Sequence, residues 1–222
     1  MMQLDFSILL KFQYAMAVGL WMTVKLTLLC IILGIALGFV VGLTRSSGST
    51  LMRALTGIYV EFFRGTPVLI QLFWIFFCLP LILGQDISNF VSATIALTLY
   101  MGAISSESFR ASLRSVGREQ IDACIALSLP RRAQITSVIL PQAVLRAVPT
   151  LLSNCVSLFK ESSLVSAVGM ADLMYTGQNI SNNTARPVEV LTAVAVIYFV
   201  IAFPLTRAVT RVERRILNKL AV

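Results

Sequence analysis

The stretch that decides the fold runs from Gly117 to Pro149 and reads GREQIDACIALSLPRRAQITSVILPQAVLRAVP. It interrupts a very hydrophobic chain with arginine-rich sequence, and apolar runs long enough to cross a bilayer lie on both sides of it. A protein that only spans lipid needs no long, structured insert between two spans. We therefore interpret this segment as a part of the chain that a partner in the aqueous phase can move.

Composition indicates a polytopic membrane protein. Of the 222 residues, 57% are hydrophobic and only 13% are charged, whereas about a quarter of the residues in an average soluble domain are charged. The net charge of +8 would suit nucleic acid, but the basic residues stand in short clusters at the ends of apolar runs, which is how membrane topology is encoded. We expect membrane lipid and no nucleic acid as a partner.

Five apolar segments are each near or above the roughly 20 residues that the hydrocarbon core of a bilayer requires. The predicted spans are Ala15–Leu43, Ile58–Leu83, Phe90–Leu113, Pro141–Phe159 and Val188–Val209. Arginines cluster after the first, third and fifth spans, whereas the two alternate loops contain one arginine between them. The positive-inside rule then places the N-terminus outside and the C-terminus in the cytoplasm, in agreement with an odd number of spans.

Span one carries Gly34, Gly38 and Gly42, four residues apart on one helical face. Small residues at this spacing let a second helix approach closely in a membrane. We predict that this face packs against another span.

Within the insert, an apolar pattern predicts a short helix. Ile121, Cys124, Ile125 and Ser128 recur at helical spacing, so one face is mostly apolar, and Asp122 lies near the other side. A helix of two or three turns is marginal in water by itself. It must therefore be held between the membrane domain and something else.

Two prolines shape the rest of the insert. Pro130 cannot continue the first helix but suits the first turn of the next helix. In the same way, Pro141 is predicted to start span four. The product is a helix–bend–helix bracket across the cytoplasmic end of the bundle. From the residues alone, it is either a docking bracket or a structural loop on the surface.

The bracket resembles the coupling loop of bacterial ABC-importer permeases, whose pattern is EAA, a glycine shortly after it, and an apolar stretch closing with LP. Asp122-Ala123-Cys124 stands at the EAA position, Ser128 at the glycine, and Leu140-Pro141-Gln142-Ala143 at the LPQA. Two positions depart from the pattern. Asp122 keeps the carboxylate, and Ser128 keeps the small size but not the freedom of glycine at positive φ.

Four further stretches resemble the polar-amino-acid branch of these permeases. They are the FRGTP at 63–67 with Gln71 after it, Glu107 with Arg110, the KESSL at 160–164, and Ala171-Asp172-Leu173. The resemblance covers nearly the whole chain. It implies an all-α membrane protein, the transmembrane domain of a type I ABC importer, with residues 1–222 as a single permease domain and a coupling loop at about 117–140.

The resemblance also implies partners in the bacterial inner membrane: a second permease copy or a close relative, two cytoplasmic ATPase subunits and an extracytoplasmic solute-binding protein. The coupling helix, at about Arg118–Leu127, would sit in a cleft of the ATPase. The residues that would couple to it are Arg118, Asp122, Ala123, Cys124 and Ser128. The chain lacks the GxxxxGK[ST] nucleotide loop, so we expect ATP hydrolysis in the partner, and neither enzymatic activity nor a cofactor in this chain.

Ionisable groups within spans cost about 2.5–3.5 kcal/mol each, so they usually face a cavity or a partner. Glu61 and Arg64 are three residues apart, as are Glu107 and Arg110, so each could form an intrahelical ion pair. Glu107 is also a candidate for contact with the substrate, a polar amino acid or a similar zwitterion.

The segment Lys160-Glu161-Ser162-Ser163 is the main candidate substrate site. Its adjacent opposite charges point in different directions, and its hydroxyls can bond to the ammonium or carboxylate of a zwitterion. We predict substrate contacts from Glu161, Ser162 and Ser163; the alternative is a structural role at a helix end.

Two other classes of function are weighed against an importer subunit. An intramembrane enzyme is disfavoured because the chain has no histidine, which removes Ser–His and Cys–His catalysis and most transition-metal sites. The four cysteines are isolated and suit core positions better than ligation. An ATPase-independent secondary carrier or channel is the alternative; carriers commonly show internal repeats, and no clear repeat is present.

Overall fold

A computed structural model describes residues 6–220, apart from the side chains of Ser47 and of residues 217–220. The described residues form helices and no β-strand, as predicted. The helices are α1 (Ser7–Ser47), α2 (Thr50–Gly65), α3 (Val68–Leu83), α4 (Asn89–Arg114), α5 (Arg118–Ala126), α6 (Arg131–Val168), α7 (Leu173–Thr184) and α8 (Pro187–Leu220).

The centre of the bundle is a seam between α1 and α4. A Cβ atom added to Gly34 would lie 2.5 Å from Cβ of Met101, and one added to Gly38 would lie 2.5 Å from Cβ of Ser105. Gly42 approaches Phe109 in the same way, at 3.0 Å. Only glycine permits this approach, so the predicted close packing of this face is confirmed.

These contacts also show that α1 and α4 run in the same direction, because residue numbers rise together along both helices. The α2–α3 pair must therefore carry the chain back across the bundle. Helix α6 runs opposite to α4: the Asn89 amide at the start of α4 donates to the Val168 carbonyl, and the Arg146 guanidinium donates to the Ser115 carbonyl just beyond its end. With α8 the described residues make five crossings, as predicted, and α1 begins at the opposite end of the bundle from the one where α8 ends.

The second predicted span is not one straight helix, and this part of the prediction was wrong. The axes of α2 and α3 differ in direction by 109°. Pro67 lacks an N–H and disfavours helical backbone at the residue before it. Thr66 is accordingly extended, with φ −110° and ψ 145°. The two short helices together form one broken crossing.

Gln71 holds this break together. Its Nε2 donates to the carbonyls of Phe63 and Thr66, at 2.9 Å and 3.0 Å. The Phe63 carbonyl would normally accept from the residue four positions later, which is Pro67 and has no N–H to give. A side-chain amide therefore replaces the missing backbone donor, and Gln71 is buried in this role.

Pro141 was expected to start span four, but α6 is continuous from Arg131 to Val168. A π-helical segment, Gln134–Ile139, stands just before the proline, and the Leu140 N–H donates to the Ile135 carbonyl five residues back. This extra residue in the turn accommodates a proline ring that would clash in a regular α-helix. The proline therefore modifies the helix without ending it.

The outer loop predicted at 169–187 contains a helix, α7, which the hydropathy of the chain did not indicate. Leu173, Gly177 and Ile180 lie on its buried face. Asp172 caps its N-terminus by accepting a hydrogen bond from the Tyr175 N–H at 2.8 Å. This helix packs against α1 and α8 at the end of the bundle where α6 ends and α8 begins.

Candidate coupling and substrate sites

One end of the bundle is strongly basic. Because of the crossing directions, the end of α1, the start of α2, the end of α4, the start of α6 and the end of α8 meet there with α5. We call this the basic end. Its arginines are Arg45, Arg53, Arg114, Arg118, Arg131, Arg132, Arg211, Arg214 and Arg215.

Helix α5 lies across the basic end and rests on the bundle through a narrow face. Cys124 is buried there, whereas Asp122 and Ala123 are exposed as expected. Ile125 was predicted to belong to the buried face, but 61% of it is exposed, and Leu127 is 72% exposed. The outward face of α5 therefore combines a carboxylate, a small residue and an apolar patch.

The bend after α5 is a Schellman turn centred on Ser128. The Leu129 N–H donates to the Cys124 carbonyl at 3.0 Å, and the Ser128 N–H donates to the Ile125 carbonyl at 2.9 Å. Ser128 has φ +51°, the left-handed conformation that glycine usually supplies. Serine thus makes the turn for which the related pattern has glycine, at a cost of about 1–2 kcal/mol.

Side-chain hydrogen bonds tie this bracket to the spans. The Gln134 amide donates to the Leu129 carbonyl at 2.8 Å. This bond fixes the start of α6 to the bend. The Gln142 amide donates to Gln120 Oε1 at 3.3 Å, which links α6 to α5. Both bonds therefore join the bracket to α6.

Glu161 lies near the middle of the membrane crossing. The Tyr100 hydroxyl donates to its Oε1 at 3.1 Å, and Tyr100 is close to the centre of α4. The Oε2 of Glu161 is buried and accepts no hydrogen bond within residues 6–220. The carboxylate is thus oriented by one partner and keeps one free acceptor atom.

The two serines after Glu161 differ in their surroundings. Ser162 is fully buried, and its hydroxyl donates to the Phe159 carbonyl at 2.8 Å. Ser163 is half-buried, and its hydroxyl donates to the Lys160 carbonyl at 2.8 Å. Both hydroxyls therefore bond to the backbone of their own helix, and the two serines differ in exposure: Ser162 is enclosed, whereas Ser163, like Glu161, is half-buried.

Glu107 belongs to a separate cluster. Its carboxylate pairs with Arg110 at 2.7 Å, which confirms the predicted intrahelical pair, and with Arg45 of α1 at 2.8 Å. It lies about two turns from Tyr100 towards the basic end, so the structure does not bring it together with Glu161.

The ion pair predicted between Glu61 and Arg64 is not formed. Both residues are exposed, and neither belongs to the ion pairs at Glu107.

Sequence reasoning gave no role to Tyr100 or Asp172. A tyrosine inside an apolar span carries no signal for its partner across the fold. Asp172 could have been recognised as a helix N-cap, because it precedes an apolar run. It is fully buried beside the Tyr198 hydroxyl, at 3.4 Å, and this burial raises the pKa of its carboxyl to about 6.

Residues 30–218 match the family of binding-protein-dependent transport system inner membrane components. The chain belongs to this family.

Curated relatives match over most of their length. The arginine transport system permease protein ArtQ of Bacillus subtilis is 32% identical over 97% of this chain and 98% of the relative. A putative glutamine transport system permease protein GlnP of Rickettsia felis is 31% identical over 90% of this chain and 91% of the relative. The L-cystine transport system permease protein TcyB of Bacillus subtilis is 35% identical over 89% and 85%.

Solved structures share the fold. A chain in the crystal structure of an amino acid ABC transporter with histidines superposes with a TM-score of 0.91 at 31% identity, over 96% of this chain and 100% of that chain. The inward-facing MetNI methionine ABC transporter gives a TM-score of 0.76 at 21% identity, over 93% and 98%, which supports the fold alone.

The chain is therefore a multi-pass inner-membrane permease subunit of an ABC importer with the type I fold. The alternative interpretation, an ATPase-independent carrier or channel, is not supported.

Proposed function

We propose that this permease moves a polar amino acid, or a similar small zwitterion, from an extracytoplasmic solute-binding protein into the cytoplasm. It would do so with a second permease chain and two ATPase subunits that hold and hydrolyse the ATP. Relatives named for arginine, glutamine and L-cystine transport support the substrate class. The observation that carries the coupling role is the exposed Asp122–Ala123 face of a short helix that follows α4 along the chain and is linked to α6 by the Gln142–Gln120 hydrogen bond.

The basic end would lie in the cytoplasm, because arginines concentrate on the cytoplasmic side of membrane proteins. The N-terminus would then lie outside and the C-terminus inside. This orientation presents residues 117–140 to the ATPase as the coupling loop of a single permease domain.

The outward face of α5 suits a docking site in a cleft. Ala123 permits close approach, the Asp122 carboxylate can meet a basic group, and Ile125 adds apolar contact. Arg118 and Ser128 stand at the two ends of the helix, and the buried Cys124 anchors it. Binding of nucleotide to the ATPase would favour one position of α5, and α6 would move with it, so the transporter shifts between two populations of states.

The substrate site would include Glu161, whose free Oε2 can accept a hydrogen bond from an ammonium group. The Tyr100 hydroxyl would hold the carboxylate in place, and Ser163 would supply a nearby hydroxyl. Ser162 would shape the helix end from its buried position. Glu107, held by two arginines, would act nearer the cytoplasmic exit.

The coupling role is tested by Ala123→Trp. A bulky side chain at the docking face should abolish transport and co-purification of the ATPase, while the protein still inserts in the membrane. Val196→Trp, at an exposed position of α8, is the matched control and should leave both unchanged. Normal uptake by the Ala123→Trp protein would contradict the docking assignment.

The substrate role is tested by Glu161→Gln in the reconstituted complex. We expect a loss of about tenfold or more in apparent substrate affinity, as for a charged hydrogen bond removed from a buried site, with basal ATPase activity retained. Glu213→Gln, at an exposed position of the basic end, is the control. Unchanged affinity after Glu161→Gln would count against the site.

A further inference from the structure

A groove of about 420 Å³ lies between α1 and α8. Helix α6 packs against both helices and forms the floor of the groove. Leu28 and Ile31 of α1 belong to one wall, and Leu205 and Ala208 of α8 belong to the other. Leu28 is 55% exposed and Leu205 is 45% exposed, so the described part of the chain leaves the groove open. We call this space the α1–α8 groove.

The described residues that line the groove offer no hydrogen bond to an occupant. Their side chains are aliphatic or aromatic, apart from Thr27 and Cys155. The Thr27 hydroxyl is buried and donates to the Thr23 carbonyl within α1 at 2.7 Å, and a cysteine thiol behaves as a small apolar group. A zwitterionic substrate would lose its hydration there without gaining hydrogen bonds. The groove therefore suits a hydrocarbon chain.

Two arginines of α8 stand where the groove ends. Ala208 and Val212 line the groove, and Arg211 and Arg215 follow Ala208 by three and seven residues, so the four lie towards one side of the helix. Both arginines are exposed and belong to the basic end. Arginine forms bidentate hydrogen bonds with phosphate oxygens. An apolar groove that ends at a pair of arginines has the chemistry of a phospholipid site.

The length of the groove fits one leaflet of a bilayer. Along α8 it extends from Ile201 to Val212, about 16 Å at 1.5 Å per residue, which is about half of the hydrocarbon thickness. Arg211 lies about 36 Å along the helix from Pro187. This distance exceeds the hydrocarbon thickness of about 30 Å, so the two arginines reach the layer of lipid headgroups.

We propose that the α1–α8 groove holds one acyl chain of an anionic phospholipid, whose phosphate is bound by Arg211 and Arg215. The lipid fills the space between α1 and α8 and joins both helices to the end of α8. This site goes beyond the proposed function, because it involves neither the transported substrate nor the ATPase.

Other occupants fit the groove less well. A helix about 10 Å across would take on the order of 1,200 Å³ over the same 16 Å, about three times the volume present. A zwitterionic phospholipid carries a positive group beside its phosphate, which offsets the attraction of the arginines. An anionic phospholipid has no such group, and clusters of basic residues at the ends of membrane helices attract it.

The first test is native mass spectrometry of the complete chain, purified in detergent and titrated with phosphatidylglycerol or with phosphatidylcholine of the same acyl chains. We expect a single tight site per chain for phosphatidylglycerol, with an affinity about tenfold or more above that for phosphatidylcholine. Excess inorganic phosphate should not displace the lipid. Equal affinity for the two lipids, or displacement by free phosphate, would overturn the proposal.

The second test removes the headgroup contacts. The double variant Arg211→Gln/Arg215→Gln should lower the affinity for phosphatidylglycerol about tenfold, to the level of phosphatidylcholine. The matched control is Arg131→Gln/Arg132→Gln, which removes the same charge from exposed positions of the basic end that lie away from the groove. An equal loss in the control would mean that only the overall positive charge attracts the lipid, and the site would be rejected.

The third test fills the groove. Ala208→Trp places a bulky side chain in the space for the acyl chain at an exposed position, and the tight site should be lost. Val200→Trp, at a 60% exposed position of α8 outside the groove, should bind the lipid normally. Elution of both variants as single peaks in size-exclusion chromatography shows that they fold. Unchanged phosphatidylglycerol affinity after Ala208→Trp would show that the groove holds no acyl chain.

Discussion

Helices α1 and α2 both carry glycines at helical spacing on a single face, but what covers each face differs. Beside Gly34 and Gly38 the gap is filled by α4 of the same chain, to the point that a single added carbon would clash. Beside Gly57 and Gly65 the gap is open. The same residue type at similar spacing is therefore required for close packing in α1, whereas in α2 the fold of this chain makes no such demand.

The charges near the two faces differ in the same way. At the basic end of the contact between α1 and α4, the Glu107 carboxylate forms ion pairs with both Arg45 and Arg110. Glu61 and Arg64 of α2 are exposed and belong to neither of these ion pairs.

The largest expected effect is an opposite response to alanine at the two faces. Gly38→Ala forces a Cβ atom to 2.5 Å from Ser105 Cβ and 2.9 Å from backbone atoms, so we expect a loss of about 3 kcal/mol in the free energy of unfolding. Gly57→Ala should instead stabilise the monomer by up to about 1 kcal/mol, because alanine favours helix.

This contrast is measured by denaturant unfolding in a detergent that keeps the chain monomeric. Equal destabilisation by the two substitutions would show that the side of α2 around Gly57 is already packed within the chain, and the distinction between the two helices would fail.

A second prediction concerns the part of α1 that packs against α7, where the Thr23 hydroxyl accepts from the Leu173 N–H and Asp172 caps α7. Burial raises the pKa of Asp172 to about 6, above its value in the unfolded chain. The folded protein therefore binds this proton more tightly. The resulting stability is complete below about pH 4 and is lost as the pH rises to about 6.

The expected loss of stability over the whole titration is about 3 kcal/mol for a shift of this size. Asp172→Asn, which keeps an acceptor oxygen for the cap, should remove this part of the pH dependence, as followed by thermal unfolding between pH 4 and 7. An identical slope in the two proteins would show that other groups cause it.

A third prediction tests the paired charges of the seam. Arg45→Met removes one of the two arginines from Glu107, and we expect a loss of about 1.5 kcal/mol, since the pair is largely buried and hydrogen-bonded. Glu107→Gln alone and together with Arg45→Met completes a double-mutant cycle. A coupling energy near zero would mean that the seam depends on its glycines and not on this pair.

The smallest effect is expected where a small residue is needed for backbone conformation and not for packing. Ser128 has positive φ, so Ser128→Gly should stabilise the chain by about 1 kcal/mol and leave transport intact. Ser128→Val should be destabilising, because a β-branched residue resists this conformation. Equal stability of the two variants would show that the turn changes shape when its residue changes.

Much of the architecture could be predicted from hydropathy and charge. The five crossings follow from apolar runs, and the position of α5 follows from the polar interruption at 117–140. The break in the second crossing could have been suspected at Pro67. Mean hydropathy does not reveal it, because a single proline hardly changes an average over about 20 apolar residues. Pro141 looked like a similar break and was not, because a π-helical turn absorbs it. A proline therefore predicts a local departure from regular α-helix, but not whether the helix ends or continues through a π-helical turn.

The candidate sites were predictable only in part. Glu161 and Asp122 stood out because they are charged residues in or next to apolar sequence. The Tyr100 hydroxyl that orients Glu161 and the Arg45 that completes the Glu107 cluster come from distant helices. No local pattern encodes such contacts, since they depend on how helices far apart in sequence are rotated against each other.

The sequence by itself determined which segments enter the membrane, where the chain leaves it for α5, and the family to which it belongs, because burial of apolar surface and the placement of arginines are properties of composition along the chain. Only the tertiary structure decided which glycine face is filled and which stays open, and which charges are paired. Those outcomes depend on close packing between helices, where one added carbon atom is enough to turn a van der Waals contact into a steric clash.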